Sequence, residues 1–386
     1  MLKNALPAQT ASVLQDPLAL LDIIHAAIHA NGSWIGFDDF MSRALYTPGL
    51  GYYAHGSAKF GTMPAGVRGE GSDFVTAPEM TPLFGQTLAT QVVQALSATQ
   101  TSQVWEFGAG SGALTLHVLD ELARLGVALE RYTIVDVSGS LRARQQQKLR
   151  AHADKLRWVD ELPPEMTGVV LGNEVLDAMP VKLLVRSGGV WFERGVGLAE
   201  SADNLDEGDL VWSERPTTLR PPVEIAGPHD YLTEIHPLAE AFIRTLADKL
   251  TCGAAFFIDY GFPEAEYYHP QRHMGTVMCH RAHLADANPL SDVGLKDITA
   301  HVNFTGIAMA GQDAGFDVLG YCTQARFLMN CGLLARLEDA SFADKAMAQK
   351  LLMEHEMGEL FKVIAFGKNC AWEPMGFALG DRTHTL

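Results

Sequence analysis

The chain has 386 residues, enough for one large domain with insertions or for two domains. Apolar residues make up 47% and charged ones 19%, which excludes a disordered chain and supplies ample core. The formal net charge of -17, from 29 basic and 46 acidic residues, argues against a nucleic-acid scaffold, whose footprint is basic.

The five cysteines, Cys252, Cys279, Cys322, Cys331 and Cys370, form no CxxC pair; an odd, dispersed set suits a reducing compartment. No apolar run is long enough to cross a bilayer. Near the start, PLALLDIIHAAIHANG carries Asp22 and two histidines within its apolar stretch. It reads as an amphipathic helix ending at Gly32, not as a secretion signal. A soluble, cytoplasmic protein is expected.

Residues 1–100 read as an N-terminal helical cap with a Gly/Pro-rich middle, followed by a core over 101–265. From Gln103 short β-rich runs alternate with helical ones, the signature of a parallel sheet with crossover helices. The predicted order begins with strand Val104–Phe107, helix Ala113–Leu125, strand Tyr132–Val135, helix Leu141–Ala153 and a short strand near Arg157–Val159. Strand Gly168–Gly172 follows. An insertion around 183–230 then opens with a β-hairpin, Leu183–Gly197, centred on SGG. Helix Ala239–Leu250 leads to strand Ala254–Ile258, which ends in Asp259-Tyr260-Gly261. Residues 266–314 read as an inserted loop or helical region. Strands Phe316–Tyr321 and Phe361–Phe366, within 315–368, complete a seven-stranded doubly wound α/β sheet, and 369–386 form a tail.

In VWEFGAGSGAL, Gly108, Ala109, Gly110 and Gly112 lie between the first strand and its helix. Glycines there let the backbone turn tightly and approach a ligand, and the helix N-terminus offers free N–H groups. The spacing also satisfies G-x-G-x-x-A, so a dinucleotide site of an NAD-dependent oxidoreductase competes with an S-adenosyl-L-methionine site. Asp136 ends the second strand, with Val137 next to it. Its carboxylate can hold the ribose hydroxyls of either ligand. Glu106, two residues before the first glycine, would be unfavourable near a pyrophosphate but well placed near the ammonium of a methionine moiety. The fourth strand runs into GNEVLDAMPV, which sets Asn173, Glu174 and Asp177 at the carboxyl edge, where open α/β sheets bind ligands. A helix-capping role fits Asp177 better than the other two.

These motifs do not stand alone. GYYAHGSAKFG, SDFVTAPEMTPLFGQTLA, VWEFGAGSGAL, GNEVLDAMPV, FFIDYG, LKDITAHVNF, QARFL and MGELFKVIAF follow one another from about Tyr46 to Phe366. In that order they resemble the blocks of the MidA-like methyltransferases. The resemblance implies a class I, Rossmann-like S-adenosyl-L-methionine-dependent methyltransferase fold with an added helical region. It implies that the glycines cradle the methionine part and that Asp136 holds the ribose, where the family more often has glutamate. Asp73, Thr76 and Glu79 would fold over the cofactor. The family includes a mitochondrial complex I assembly factor regarded as a protein arginine methyltransferase. A protein substrate with a target arginine is therefore implied, a respiratory complex I subunit among the candidates. Glu174 and Asp177 would orient the guanidinium, with Asn173 positioning and Asp73 or Glu79 assisting. A non-catalytic assembly factor that keeps the cofactor pocket is the alternative.

The stretch TMPAGVRGEGS, Thr62–Ser72, is longer than the family's usual link and reads as a mobile surface loop. His273, His280, His283 and His301 lack an HExxH spacing, so no metal is expected; RHMGTVMCHRAH is expected to shape the acceptor site. A helical cap would permit a homodimer.

Overall fold

Seven apolar runs pair side by side in the computed structural model, which describes residues 17–54, 76–136, 139–200, 208–281 and 284–386. The Thr62–Ser72 loop, Asp73, Val137 and His283 lie outside the described residues. The strands are β1 (Gln103–Phe107), β2 (Arg131–Val135), β3 (Leu156–Val159), β4 (Met166–Asn173), β5 (Leu250–Phe262), β6 (Asp317–Thr323) and β7 (Phe361–Lys368). Their order is β3-β2-β1-β4-β5-β7-β6. Strands β1 to β5 pair in parallel, whereas β7 runs antiparallel to both of its neighbours. Residues Val104 to Phe107 of β1 are all buried, as expected for a strand covered on both faces.

The expected count of seven is one short for this sheet. A two-residue strand, Val302–Asn303, pairs with Gly261 and Phe262 of β5. Strand β5 is much longer than the apolar core Ala254–Ile258 suggested. Its pairing with β4 stops at Ile258, which leaves its far end open to the eighth strand.

Helices fill both faces. On one, Leu88, Val92 and Ala95 of helix Pro82–Thr99 join Val118 and Leu122 of helix Ala113–Arg124 in a single apolar cluster. Helix Pro82–Thr99, read within the N-terminal cap, is therefore a layer of the core. On the other face, helices Pro237–Lys249 and Phe304–Asp313 pack through Ile243, Leu246, Phe304 and Ile307.

The hairpin foreseen at Leu183–Gly197 is part of a larger antiparallel sheet. Strands Lys182–Ser187 and Val190–Leu198 turn through Gly188 and Gly189, both at positive φ (55° and 82°), as a tight hairpin turn requires. Tyr231–Ile235, Leu210–Pro216 and Ile35–Gly36 complete five strands. The N-terminal helices Pro17–Ala30 and Phe37–Tyr46 cover it through Leu20, Ile24, Phe37 and Phe40. Within 266–314, Met278–Arg281 pairs with both Leu284–Asp286 and Asp297–Thr299, so a small three-stranded sheet stands where loop or helix was expected. Among the described residues no helix is long and apolar enough to cross a membrane.

Candidate active site

The register of the sheet decides what meets at its carboxyl edge. Phe107 lies opposite Val135 on one side and Gly172 on the other, so Gly108, Asp136 and Asn173 emerge next to one another. The strand order reverses between β1 and β4, which is where such sheets open a crevice.

Gly108, Gly110 and Gly112 all have left-handed backbones, with φ of 62°, 52° and 80°. Side chains are disfavoured there, and a Cβ on Gly112 would also lie 3.3 Å from Leu149 Cδ1. Beneath the loop, the buried Gln145 donates to the Gly110 carbonyl (2.9 Å) and to Asp136 Oδ2 (3.0 Å), and accepts from Trp158 Nε1 (2.8 Å). One amide thus ties the glycine loop to the carboxylate at the end of β2. Nothing in the polar run RARQQQK marked Gln145 out.

The short helix Ala77–Met80 lies over the same loop. Ser111 donates to Glu79, and Lys148 Nζ donates to Ser111 Oγ at 2.9 Å and stands 3.9 Å from Glu79. Thr76 caps this helix, its carbonyl accepting the Glu79 N–H. Glu106 is 2% exposed, and its Oε2 accepts from the hydroxyls of Thr115 (2.7 Å) and Tyr132. Burial pushes its carboxyl up to about 7 against these two bonds, and Asp136 adds to the rise.

At the end of β4 the chain turns at Glu174, whose φ of 54° is unusual for a residue other than glycine. Asp259 holds the turn open, its Oδ2 accepting the N–H groups of Val175 (3.1 Å), Leu176 (2.9 Å) and Asp177 (3.2 Å). No helix follows, so Asp177 is not a cap. It is 5% exposed; Oδ2 accepts the Tyr260 hydroxyl, while Oδ1 has no hydrogen-bond partner. Asn173 Oδ1 is likewise buried without a partner. Glu174 accepts from Asn173 Nδ2 at 2.9 Å and from the Ala77 N–H. Burial, and then the charge of Asp177, push Glu174 up to about 8; burial pushes Asp177 up to about 6, against the Tyr260 hydroxyl.

Facing this loop are residues that the sequence did not mark. Asp297 is 3% exposed, and both of its carboxylate oxygens accept the Tyr53 hydroxyl, at 2.8 and 2.9 Å. Tyr53 stacks on Tyr46, with ring centroids 5.6 Å apart and 25° between planes, and Tyr46 donates to the Ala178 carbonyl at 2.8 Å.

These groups line one cleft. Of the expected cofactor residues, Thr76, Glu79, Glu106, Gly108, Ala109, Gly110 and Asp136 line it, while Gly112 stands behind the loop. Asn173, Glu174 and Asp177 line its other end, with Tyr46, Tyr53 and Asp297. His273, His280 and His301 do not. Among the described residues no group of three or more His, Cys, Asp or Glu side chains is arranged to hold a metal ion.

The model of a family described as putative S-adenosyl-L-methionine-dependent methyltransferase matches residues 87–322. The chain belongs to this family. The methyltransferase is also similar to a solved structure from Burkholderia thailandensis, described as a "likely methyl transferase" bound to S-adenosyl-homocysteine. The two share 47% identity over 99% of this chain and 100% of that one, with a TM-score of 0.89. Among curated proteins, it resembles the mitochondrial protein arginine methyltransferase NDUFAF7 of Xenopus laevis (28% identity, 83% of this chain, 76% of the relative). The human protein of that name is 27% identical over 83% of this chain and 75% of its own length. The fold is that of a class I S-adenosyl-L-methionine-dependent methyltransferase, and S-adenosyl-L-methionine is the cofactor. The expected cytoplasmic location does not stand: the curated relatives are named as mitochondrial proteins. Scattered free cysteines suit a reducing environment, which does not distinguish one reducing compartment from another.

Proposed function

We propose that the methyltransferase is a protein arginine N-methyltransferase. The observation that carries this reading is the acidic end of the cleft, where Glu174, Asp177 and Asp297 converge and a buried Asp177 oxygen has no partner. Buried carboxylates lacking a cation are costly, so such an end suits a positively charged acceptor. The names of the curated relatives support arginine as that acceptor, and the family resemblance suggests a respiratory complex I subunit as the substrate.

The residues present suit the cofactor. Gly108, Ala109, Gly110 and Gly112 leave room for its methionine part, Asp136 offers a carboxylate to the ribose diol, and Thr76 and Glu79 close over the loop. Asp73 and Val137 join this set from the sequence alone. The bound cofactor supplies an electrophilic methyl group on a sulfonium. The chain's part is alignment, exclusion of water and removal of one proton. Glu174 and Asp177 hold the guanidinium through charge-assisted hydrogen bonds and localise its charge, while Asn173 Oδ1 accepts from a neighbouring N–H. The nitrogen that gains the methyl group must lose a proton, and Glu174, hydrogen-bonded to the guanidinium, is the group placed to take it.

The test is transfer from S-adenosyl-L-methionine carrying a tritiated methyl group to arginine-containing peptides, followed by acid hydrolysis. Label recovered as methylarginine supports the reading; label recovered only as methyllysine or another product overturns it.

A further inference from the structure

We infer that Asp297 is an acceptor-positioning residue: it flanks the bound cation opposite Glu174 and Asp177 and selects a charged guanidinium over its neutral isostere. This rests on the arginine reading above. Asp297 begins strand Asp297–Thr299 of the three-stranded sheet, far along the chain from the cofactor loop. That strand is fixed against the acidic turn, because the Ala300 N–H donates to the Asp177 carbonyl at 2.9 Å. The carboxylate of Asp297 is buried, lines the cleft and makes its charge felt at Glu174, Tyr46 and Tyr53.

Two further observations point to a cationic ligand there. No lysine or arginine is among the described residues that line the cleft. The partnerless Asp177 Oδ1 is more than nine-tenths buried in the same wall. The stacked Tyr46 and Tyr53 add aromatic surface beside these carboxylates, which attracts a cation further. Hydrogen bonds to charged groups are roughly tenfold to a hundredfold effects in affinity, so losing one such contact is measurable.

The experiment titrates the protein, saturated with S-adenosylhomocysteine, with Nα-acetyl-arginine amide and with Nα-acetyl-citrulline amide, its neutral isostere. D297N is expected to weaken the arginine probe by about tenfold or more while changing the citrulline probe and S-adenosylhomocysteine less than about twofold. Y53F removes the hydrogen bond to Asp297 but keeps both the carboxylate and the aromatic ring, and is expected to lose clearly less arginine affinity than D297N. If Y53F loses as much as D297N, Asp297 merely anchors Tyr53 and the inference falls. It also falls if D297N binds arginine as the wild type does. Should D297N lose S-adenosylhomocysteine too, D297E decides: arginine binding retained with the charge supports the inference, and its loss beside intact cofactor binding overturns it. A wild-type protein that binds S-adenosylhomocysteine but not the arginine probe overturns the arginine reading itself, and this inference with it.

Discussion

Glu174→Gln should separate acceptor binding from cofactor binding, and should do so most clearly in its pH dependence. With its carboxyl pushed up to about 8 by burial and by Asp177, Glu174 is half ionised at that pH. It is only about 10% ionised at pH 7 and about 1% at pH 6. A guanidinium bound by the ionised form gains roughly tenfold in affinity per pH unit from 6 toward 8 and then levels off. Asp177, near 6, adds a further loss below that value. Glutamine does not titrate, so the variant should bind the arginine probe weakly and keep only the Asp177 step. Calorimetric titration of Nα-acetyl-arginine amide from pH 5.5 to 9 measures this, with S-adenosylhomocysteine affinity as the unaffected control. A wild-type profile that is flat between pH 6 and 8, or a variant with an unchanged slope, would refute the assignment. The same shift bears on stability, with opposite sign. A carboxyl raised in the folded state opposes ionisation, so stability of the unliganded protein falls as pH climbs from 4.5 toward about 8. Glu174's share of that slope is at most about 1.4 kcal/mol per unit, and this share should be missing in the variant while Glu106 and Asp177 keep theirs.

Tyr260→Phe removes the hydroxyl bonded to Asp177, a bond that holds the carboxyl down; the acid limb of kcat/KM should move upward by up to about one unit, read from a pH–rate profile. Gln145→Ala leaves the Trp158 N–H without its partner and unties Gly110 from Asp136. A loss of about 1–3 kcal/mol in thermal stability is expected, with weaker S-adenosylhomocysteine binding, and an unchanged melting curve would count against the bridge. Gly112→Ala forces a left-handed backbone on a residue with a Cβ, costing about 1–2 kcal/mol in denaturant titrations.

The glycine-loop end of the cleft was legible because its parts are local. A glycine-rich turn between a strand and a helix, and acids at strand ends, need only the parallel-sheet rule to bring them together. Gln145 escaped notice because its value lies in three partners that no periodic pattern encodes. Tyr53 and Asp297 are separated by 244 positions, a pairing set by how the turn after helix Phe37–Tyr46 docks on the three-stranded sheet. Their spacing in the sequence carries no trace of it. Asp259 was read at a strand end, as Asp136 is, yet β5 runs on through it to Phe262 and its carboxylate serves the N–H groups of the acidic turn. Strand-end position alone does not distinguish a ligand's carboxylate from a loop's. Strand Leu210–Pro216 was missed because its partly exposed, polar sequence lacks the alternation that marks a half-buried strand.

The position of β7 affects how the molecule is made. It is the last strand of the sheet along the chain, yet it sits between β5 and β6 and pairs with each over most of its length. Until residues 361–368 leave the ribosome, β5 and β6 each present an open apolar edge, and neither can close on the other. The glycine loop and its partners, all within 76–158, are synthesised long before, so a nascent chain owns the glycine-loop half of the cleft before its sheet can seal. Folding to completion is thus deferred to the late arrival of one interior strand, and the exposed edges in that interval are where a chaperone would be needed.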